Sequence, residues 1–475
     1  MTVSTSNLTR PTSSGGNQKK YTCSVWLKPS NIRQGSRTIL SSDVEDDGSN
    51  YASWSFEADG IIKFINVTGG SLVTNYQAND QSLDCTAWMH CVLRIDTANS
   101  TSGDRIRLYI NNKQVTSWGY STTPNNNDTG MFKSGTATLI GARHSSSSQN
   151  RWEGSMAHMH IVDGQSYAPS VFAETDSATG EWVPKLSPSG ITYGTNGAFL
   201  KFENSSAMGT DSSGNSNNYT VVGPLRQGVD TPSNNFLKLD PFQAYATNQY
   251  GAVTVDFGGT ATLGDNGTSM RSCNGTLMAK KGKWYCEFKL TQDAGKLAGM
   301  GIQKNGTHAS RRFKNEGNNG TPGRETGSNG DEGITYEPLG SSFHIIKNNS
   351  GTAYGAQASQ NDIFGMAVDL DNGKIWFSRN GTFLNAPGTS NVGNPATGAN
   401  PGLTFTVGDE YWGIHASATS DGSGNAYTYL NSGQGHFGST AISSGNSDAG
   451  NKGTFEYTVP SGYYAWCTDN IATQG

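Results

Sequence analysis

From Tyr21 the chain alternates apolar and polar residues with a period of two, and Gly, Asn and Ser clusters interrupt the alternation at short intervals. That pattern predicts short half-buried strands over 21–27, 38–41, 51–56, 61–65, 88–95, 104–110, 113–116, 137–141 and 154–162. Asn111-Asn112 between two of them supplies a tight hairpin turn. The pattern resumes after residue 236. Strands are predicted at 236–239, 283–290, 298–302, 411–416 and 455–466, and two more flank the turn Asp371-Asn372-Gly373. No amphipathic run of useful helical length occurs. So many short strands with polar turns give an all-β fold, two antiparallel β-sandwich domains in tandem.

The polar stretch Asp211-Ser212-Ser213-Gly214-Asn215-Ser216-Asn217-Asn218-Tyr219, running on to Asp230-Thr231-Pro232-Ser233-Asn234-Asn235-Phe236, divides the two halves. The strand at 198–202 bounds it on one side and 236–239 on the other, so the 211–219 run is expected to fold back onto the first sandwich. The reading is a polar N-terminal arm at 1–20, a first sandwich at 21–222, a joint at 223–240 and a second sandwich at 241–475. Residues 315–333, 388–401 and 419–452 read as long surface loops.

Composition supports this picture. Only 33% of the 475 residues are hydrophobic and 15% charged, yet 10% are aromatic and Gly numbers 61. Disordered chains lose aromatics and gain charge. A net charge of −5 without a Lys/Arg run gives no electrostatic footprint for nucleic acid. No apolar stretch approaches the ~18 residues needed to span a bilayer. The first ten residues lack the apolar core of a secretion signal, so synthesis in the cytoplasm is expected. The six cysteines sit in strand-like runs without a Cys-x-x-Cys pair, which predicts buried reduced thiols. The sequons at Asn66, Asn127, Asn218 and Asn305 follow from the abundance of Asn and Thr.

Ser24-Val25-Trp26-Leu27, then Trp88-Met89-His90-Cys91, then Arg107-Leu108-Tyr109-Ile110-Asn111-Asn112, then Leu139-Ile140-Gly141, then 152–161 occur in that order. In that order they resemble the laminin-G-like, concanavalin-A-like jelly roll. The segments 162–172, 174–185, 193–202, 211–220 and 230–236 resemble a block found in structural proteins of tailed phages, especially marine ones. Gly282-Lys283-Trp284-Tyr285, the Asp369/Asp371-Asn372-Gly373 hairpin and Pro460-Ser461-Gly462-Tyr463 are similar to landmarks of the SPRY domain. Together these imply a surface component of a tailed-phage virion, either a tail fibre or receptor-binding protein or a head-decoration protein. They imply other virion proteins or a host-surface glycan as partners, and a homo-oligomer, by analogy a trimer. The competing class is a free glycan-binding protein or a concanavalin-like glycoside hydrolase.

Candidate chemistry is sparse. Glu174, Asp176 and Glu181 are too widely spaced, with a turn between them, for the paired carboxylates of a retaining glycosidase, so no catalytic residue is assigned. Asp43, Glu45, Asp46 and Asp47 supply oxygens of the kind Ca²⁺ takes, against the simpler reading of a solvated acidic loop; no other cofactor is expected. His158 and His160 alternate on one strand and read as satisfied polar groups. Trp118, Tyr120, Trp152, Tyr427 and Tyr429 lie next to turns and are the binding candidates, because sugar rings pack on aromatic faces.

Overall fold

The computed structural model describes residues 6–30, 35–43, 48–82, 84–122, 124–144, 150–177, 179–240, 254–256, 259, 261–263, 267–291, 298–305, 319–320, 333–338, 343–348, 350–420, 427–438 and 440–475. The chain divides into two compact units, Met1–Gln227 and Gly228–Gly475. The break falls inside the stretch taken as a joint, so 223–227 goes with the first unit and 228–240 with the second.

Among the described residues the first unit is a sandwich of two antiparallel sheets. One has eight strands in the order Trp118–Thr122, Ser71–Gln81, Ile61–Thr68, Tyr51–Phe56, Arg37–Asp43, Thr136–Ile140, Asn7–Thr12 and Thr220–Val222. The other has six, in the order Ala198–Leu200, Gly154–Asp163, Lys20–Pro29, Met89–Asp96, Ile106–Ile110 and Lys113–Gln114. Alternation explains the core. Trp54 and Phe56 point inward while Ser53 and Ser55 point outward, and Phe64 and Tyr76 pair across on the inner side. Cys23, Val25 and Leu27 answer them from the opposing sheet. All six cysteines of the chain are buried thiols.

The expected N-terminal arm is instead part of this sandwich. Asn7–Thr12 lies between Thr136–Ile140 and Thr220–Val222 and pairs with both. Its Leu8 is buried in the core, which composition alone hides among Ser, Thr and Asn. Asn17 and Gly16 follow against Asp163, whose carboxylate receives the Asn17 and Asn196 N–H groups at 2.7 and 3.0 Å.

The 211–219 run does fold back onto the first sandwich. Asp211 receives the N–H of Phe199 and of Ser213 on one oxygen, and the N–H of Asn217 on the other, each at 2.8 Å. Asn215 and Asn217 donate to the carbonyls of Gly194, Thr195 and Gly197. A string of turn residues thus satisfies the backbone that the short strand Ala198–Leu200 leaves unpaired.

In the second unit, Tyr427–Asn431, Lys283–Leu290, Ile363–Asp369 and Lys374–Arg379 form the centre of one sheet. Gly267–Ala279, Trp412–Ser420, Ala298–Lys304 and Gly333–Glu337 form the centre of the other. Trp284, Trp412, Trp466, Phe288, Phe364 and Phe377 fill the space between. Three expectations change here. Tyr427–Asn431 is an interior strand rather than loop. The 455–466 stretch is mostly irregular, with two-residue strands only at Thr454–Phe455 and Tyr464–Ala465. The segment 236–239 is held by single bridges to Cys467 and Gly275 rather than by a ladder. A short helix, Thr468–Gln474, was not foreseen; Asn234 accepts the Asp469 N–H at 3.2 Å near its start. The loop read at 315–333 lies largely outside the described residues. No helix among the described residues is long and apolar enough to cross a membrane.

Candidate functional site

The two outer faces of the first sandwich differ. The six-stranded sheet is covered. Residues 164–177 and 179–184 lie over it: Thr22 donates to the Gln165 carbonyl, Arg94 to the Ser166 carbonyl, and half-buried Trp182 packs against a buried cluster of Trp26, Trp88 and Ala173. His90 stacks on Trp26 at 4.9 Å. Its Nδ1 accepts the Trp182 indole N–H at 3.1 Å, which fixes the tautomer that donates from Nε2 to Ser24 Oγ at 2.7 Å. Burial, reinforced by His158, pushes the His90 pKa down to about 3. His160 meets Tyr193 Oη at 2.9 Å and stacks on Phe199 at 3.9 Å, and burial holds it neutral too. A bulge lies between Ala157 and His160, and His158 sits at φ +47, so these histidines do not follow simple strand alternation. Both rings pack on Phe199. They belong to the cover and its floor.

Glu174, Asp176 and Glu181 are also in this cover. Ala173–Thr175 pairs with Trp182–Pro184 as a two-stranded hairpin. The Asp176 carboxylate receives the Thr179 N–H at 2.7 Å and its hydroxyl at 3.0 Å. It builds the turn, which is its physical role here.

The outer face of the eight-stranded sheet carries the candidate site. Register places Thr122, Asn75, Ile65, Ser53 and Ser41 in one row across it. Tyr120, Gln77, Lys63 and Ser55 form the next row, and Leu72, Val67, Tyr51 and Asp43 another. Directly opposed residues share a face, and Tyr76, Phe64 and Trp54 in between point to the core. The serines are a flat buried floor between half-buried Lys63, Ile65 and Gln77. Asn75 Oδ1 is buried and has no hydrogen-bond partner. A floor of small polar groups with aromatic and aliphatic edges suits a ligand with apolar faces and hydroxyl rims.

At one end of this face, residues 142–144 cross over the sheet. Ser41 Oγ donates to the Ala142 and Arg143 carbonyls at 2.8 and 3.1 Å. The Arg143 guanidinium lies 4.2 Å from the centre of the Tyr51 ring. His144 pairs with the buried carboxylate of Asp43 beside it.

The binding candidates are scattered. A bulge between Trp118 and Tyr120 shifts the register, so Trp118 opposes Ala78 and Tyr120 opposes Gln77. Trp118 therefore turns inward against Tyr76, edge to face at 4.8 Å. Tyr120 turns out and is 58% exposed. Trp152 packs against Phe56 at 6.2 Å and closes an end of the core. Tyr427 and Tyr429 stand in the second unit, stacked in parallel at 5.5 Å. Of the five, Tyr120 alone belongs to the face described above. Of the proposed calcium ligands, Asp43 is taken up by His144, while Glu45, Asp46 and Asp47 lie outside the described residues. Among the described residues no group of three or more His, Cys, Asp or Glu is placed to hold a metal ion. Asn66 is buried and donates to the Asp128 carbonyl, so its sequon is not an accessible one.

Tyr51, Lys63, Asn75 and Arg143 were not singled out in the sequence. For Tyr51 and Lys63 a signal existed: strict alternation in Tyr51–Phe56 and Ile61–Thr68 puts them opposite the core residues. Arg143 carries no local signal, since it lies outside the described strands.

Residues 3–171 match the family model of the concanavalin A-like lectin/glucanases superfamily. No curated protein matches the chain. Among solved structures it is similar to the SPRY domain of human HERC1, with 12% identity over 40% of this chain and 96% of that one and a TM-score of 0.28. It is similar also to the PSpry domain of TRIM65, with 12% identity over 41% and 91% and a TM-score of 0.25. A heptameric SAP-like pentraxin from Limulus polyphemus gives 14% identity over 39% and 88% and a TM-score of 0.28.

Proposed function

We propose that this chain is a non-enzymatic adhesive and structural protein of a tailed-phage virion surface, and that it holds a host-surface glycan on the outer face of its eight-stranded sheet. One observation carries the binding part. Tyr120, Asn75, Gln77, Lys63 and Tyr51 line a polar and aromatic face with a buried, unpartnered acceptor at Asn75. The domain that bears it matches the model of a lectin and glucanase superfamily. Of the carboxylates nearest to a hydrolase pattern, Asp176 is engaged in a turn over the opposite sheet, where Glu174 also lies in the Ala173–Thr175 hairpin, which favours binding over cleavage.

The virion part rests on the resemblance of residues 162–236 to tailed-phage structural proteins. Within them, residues 164–177 and 179–184 lie over the six-stranded sheet and 211–219 make the fold-back built on Asp211. A tail-fibre or receptor-binding role and a head-decoration role both fit, with other virion proteins as neighbours. A homo-oligomer, by analogy a trimer, is part of the proposal.

The test is a glycan array probed with the full chain and with Tyr120→Ala combined with Asn75→Ala. Binding should fall about tenfold or more while the thermal midpoint stays in place. Unchanged binding would remove this face from consideration. Cryo-electron microscopy of purified virions carrying a labelled chain tests the location; label found only in the particle-free fraction would reject the virion role.

A further inference from the structure

The outer face of the eight-stranded sheet holds a cation that no described residue neutralises. Arg143 stacks its guanidinium on Tyr51 at 4.2 Å. Among the described residues it enters no ion pair, and its Nε is buried without a hydrogen-bond partner. A desolvated guanidinium donor left unmade is costly, and the cost disappears when an acceptor arrives. A guanidinium held over an aromatic ring keeps its planar fork of donors, the geometry that matches a carboxylate or a sulfate with two parallel N–H···O bonds. The obvious internal partner, Asp43, opposes Tyr51 in register but is taken up by His144.

We infer that the glycan held on this face is acidic, a uronate or sulfate-ester sugar, and that Arg143 receives its anionic group. This rests on the reading of the face as a glycan site and adds the class of sugar. Asn75 Oδ1, two residues along the sheet from the row of Tyr51, accepts a ring hydroxyl. Lys63 opposes Ser55, four residues from Tyr51 along the same strand, about 13 Å away at ~3.3 Å per residue. A second cation at that distance suits an oligomer that carries charge on more than one residue.

The experiment measures binding of three probes to the full chain: a galacturonic-acid oligomer, a sulfated galactose oligomer and a neutral galactose oligomer of equal length. Each is measured with calcium and with a chelator, and against Arg143→Gln and Arg143→Lys. The inference expects one or both acidic probes to bind about tenfold or more tighter than the neutral one, with or without calcium. Arg143→Gln should reduce the acidic probe to the neutral level, and Arg143→Lys should recover only part, because a lysine keeps the charge and loses the fork. The thermal midpoints of the variants serve as the folding control. Equal binding of all three probes, unchanged in Arg143→Gln, overturns the acidic class and leaves the glycan site standing. An acidic preference that requires calcium and survives Arg143→Gln also overturns it. No binding of any probe, together with a blank array, counts against both.

Discussion

Glu287 makes the second unit respond to pH in a direction opposite to ordinary acid unfolding. It is fully buried, and its carboxylate receives the N–H groups of Glu456 and Tyr457 at 2.9 and 2.8 Å and the Asn431 amide at 3.2 Å. Burial raises its pKa from 4.5 to about 7, although those hydrogen bonds pull the other way. Between these two values the folded protein keeps a proton that the unfolded chain has released. Stability therefore falls as pH rises through the window from 4.5 to about 7. A difference of about 2.5 at ~1.36 kcal/mol each makes the loss on the order of 3 kcal/mol. Glu287→Gln removes the titration but sets an amide NH₂ against one of the donors. Asn431 cannot turn to compensate, since its Oδ1 already receives the Gly433 and Gly435 N–H groups. That mismatch costs roughly 1–3 kcal/mol. Wild type should thus exceed the Gln variant at about pH 5, and the gap should close or reverse by about pH 8. Urea unfolding of the full chain, followed by hydrogen exchange in peptides covering Glu456 and Tyr457, reads this directly. Parallel pH curves for the two proteins would refute the reasoning.

Other expectations are independent of that one. His90 is held neutral with its pKa lowered to about 3, so the unfolded chain binds more protons between about 3 and 6.5 and the first unit loses stability as pH falls from 6.5; His90→Gln should flatten the fall in a thermal-unfolding series. Asp211→Ala strips acceptors from the Phe199, Ser213 and Asn217 N–H groups, and should cost about 2–4 kcal/mol by calorimetry with faster exchange at Phe199. A Cβ at Gly209 would stand 1.8 Å from the Tyr219 carbonyl oxygen, so Gly209→Ala should lower the melting point of the first unit by several degrees.

Much of the fold was legible because strand alternation and turn chemistry are local. The Asn111-Asn112 turn takes the positive φ angles its hairpin needs, 47° and 65°. Asn380 and Gly381 do the same at 48° and 82°. The Asp211 run, bounded by the strands expected at 198–202 and 236–239, was expected to fold back onto the first sandwich, and it does. What misled was polarity taken as exposure. Asn7–Thr12 is polar in composition yet holds an inner place in a sheet, and Tyr427–Asn431 sits among Gly and Ser yet is an interior strand.

The candidate site was less legible, for a physical reason. Trp118 and Tyr120, two apart on a strand, should share a face; a single bulge sends one to the core and the other to solvent. By itself, then, the sequence determined the all-β class, most strands and the hairpin turns, since each depends on a few neighbouring residues. Tertiary structure alone decided which sheet is covered, where the chain ends pair, and that Arg143 comes to rest on Tyr51. Those depend on contacts between residues far apart in the chain, and no local pattern encodes them.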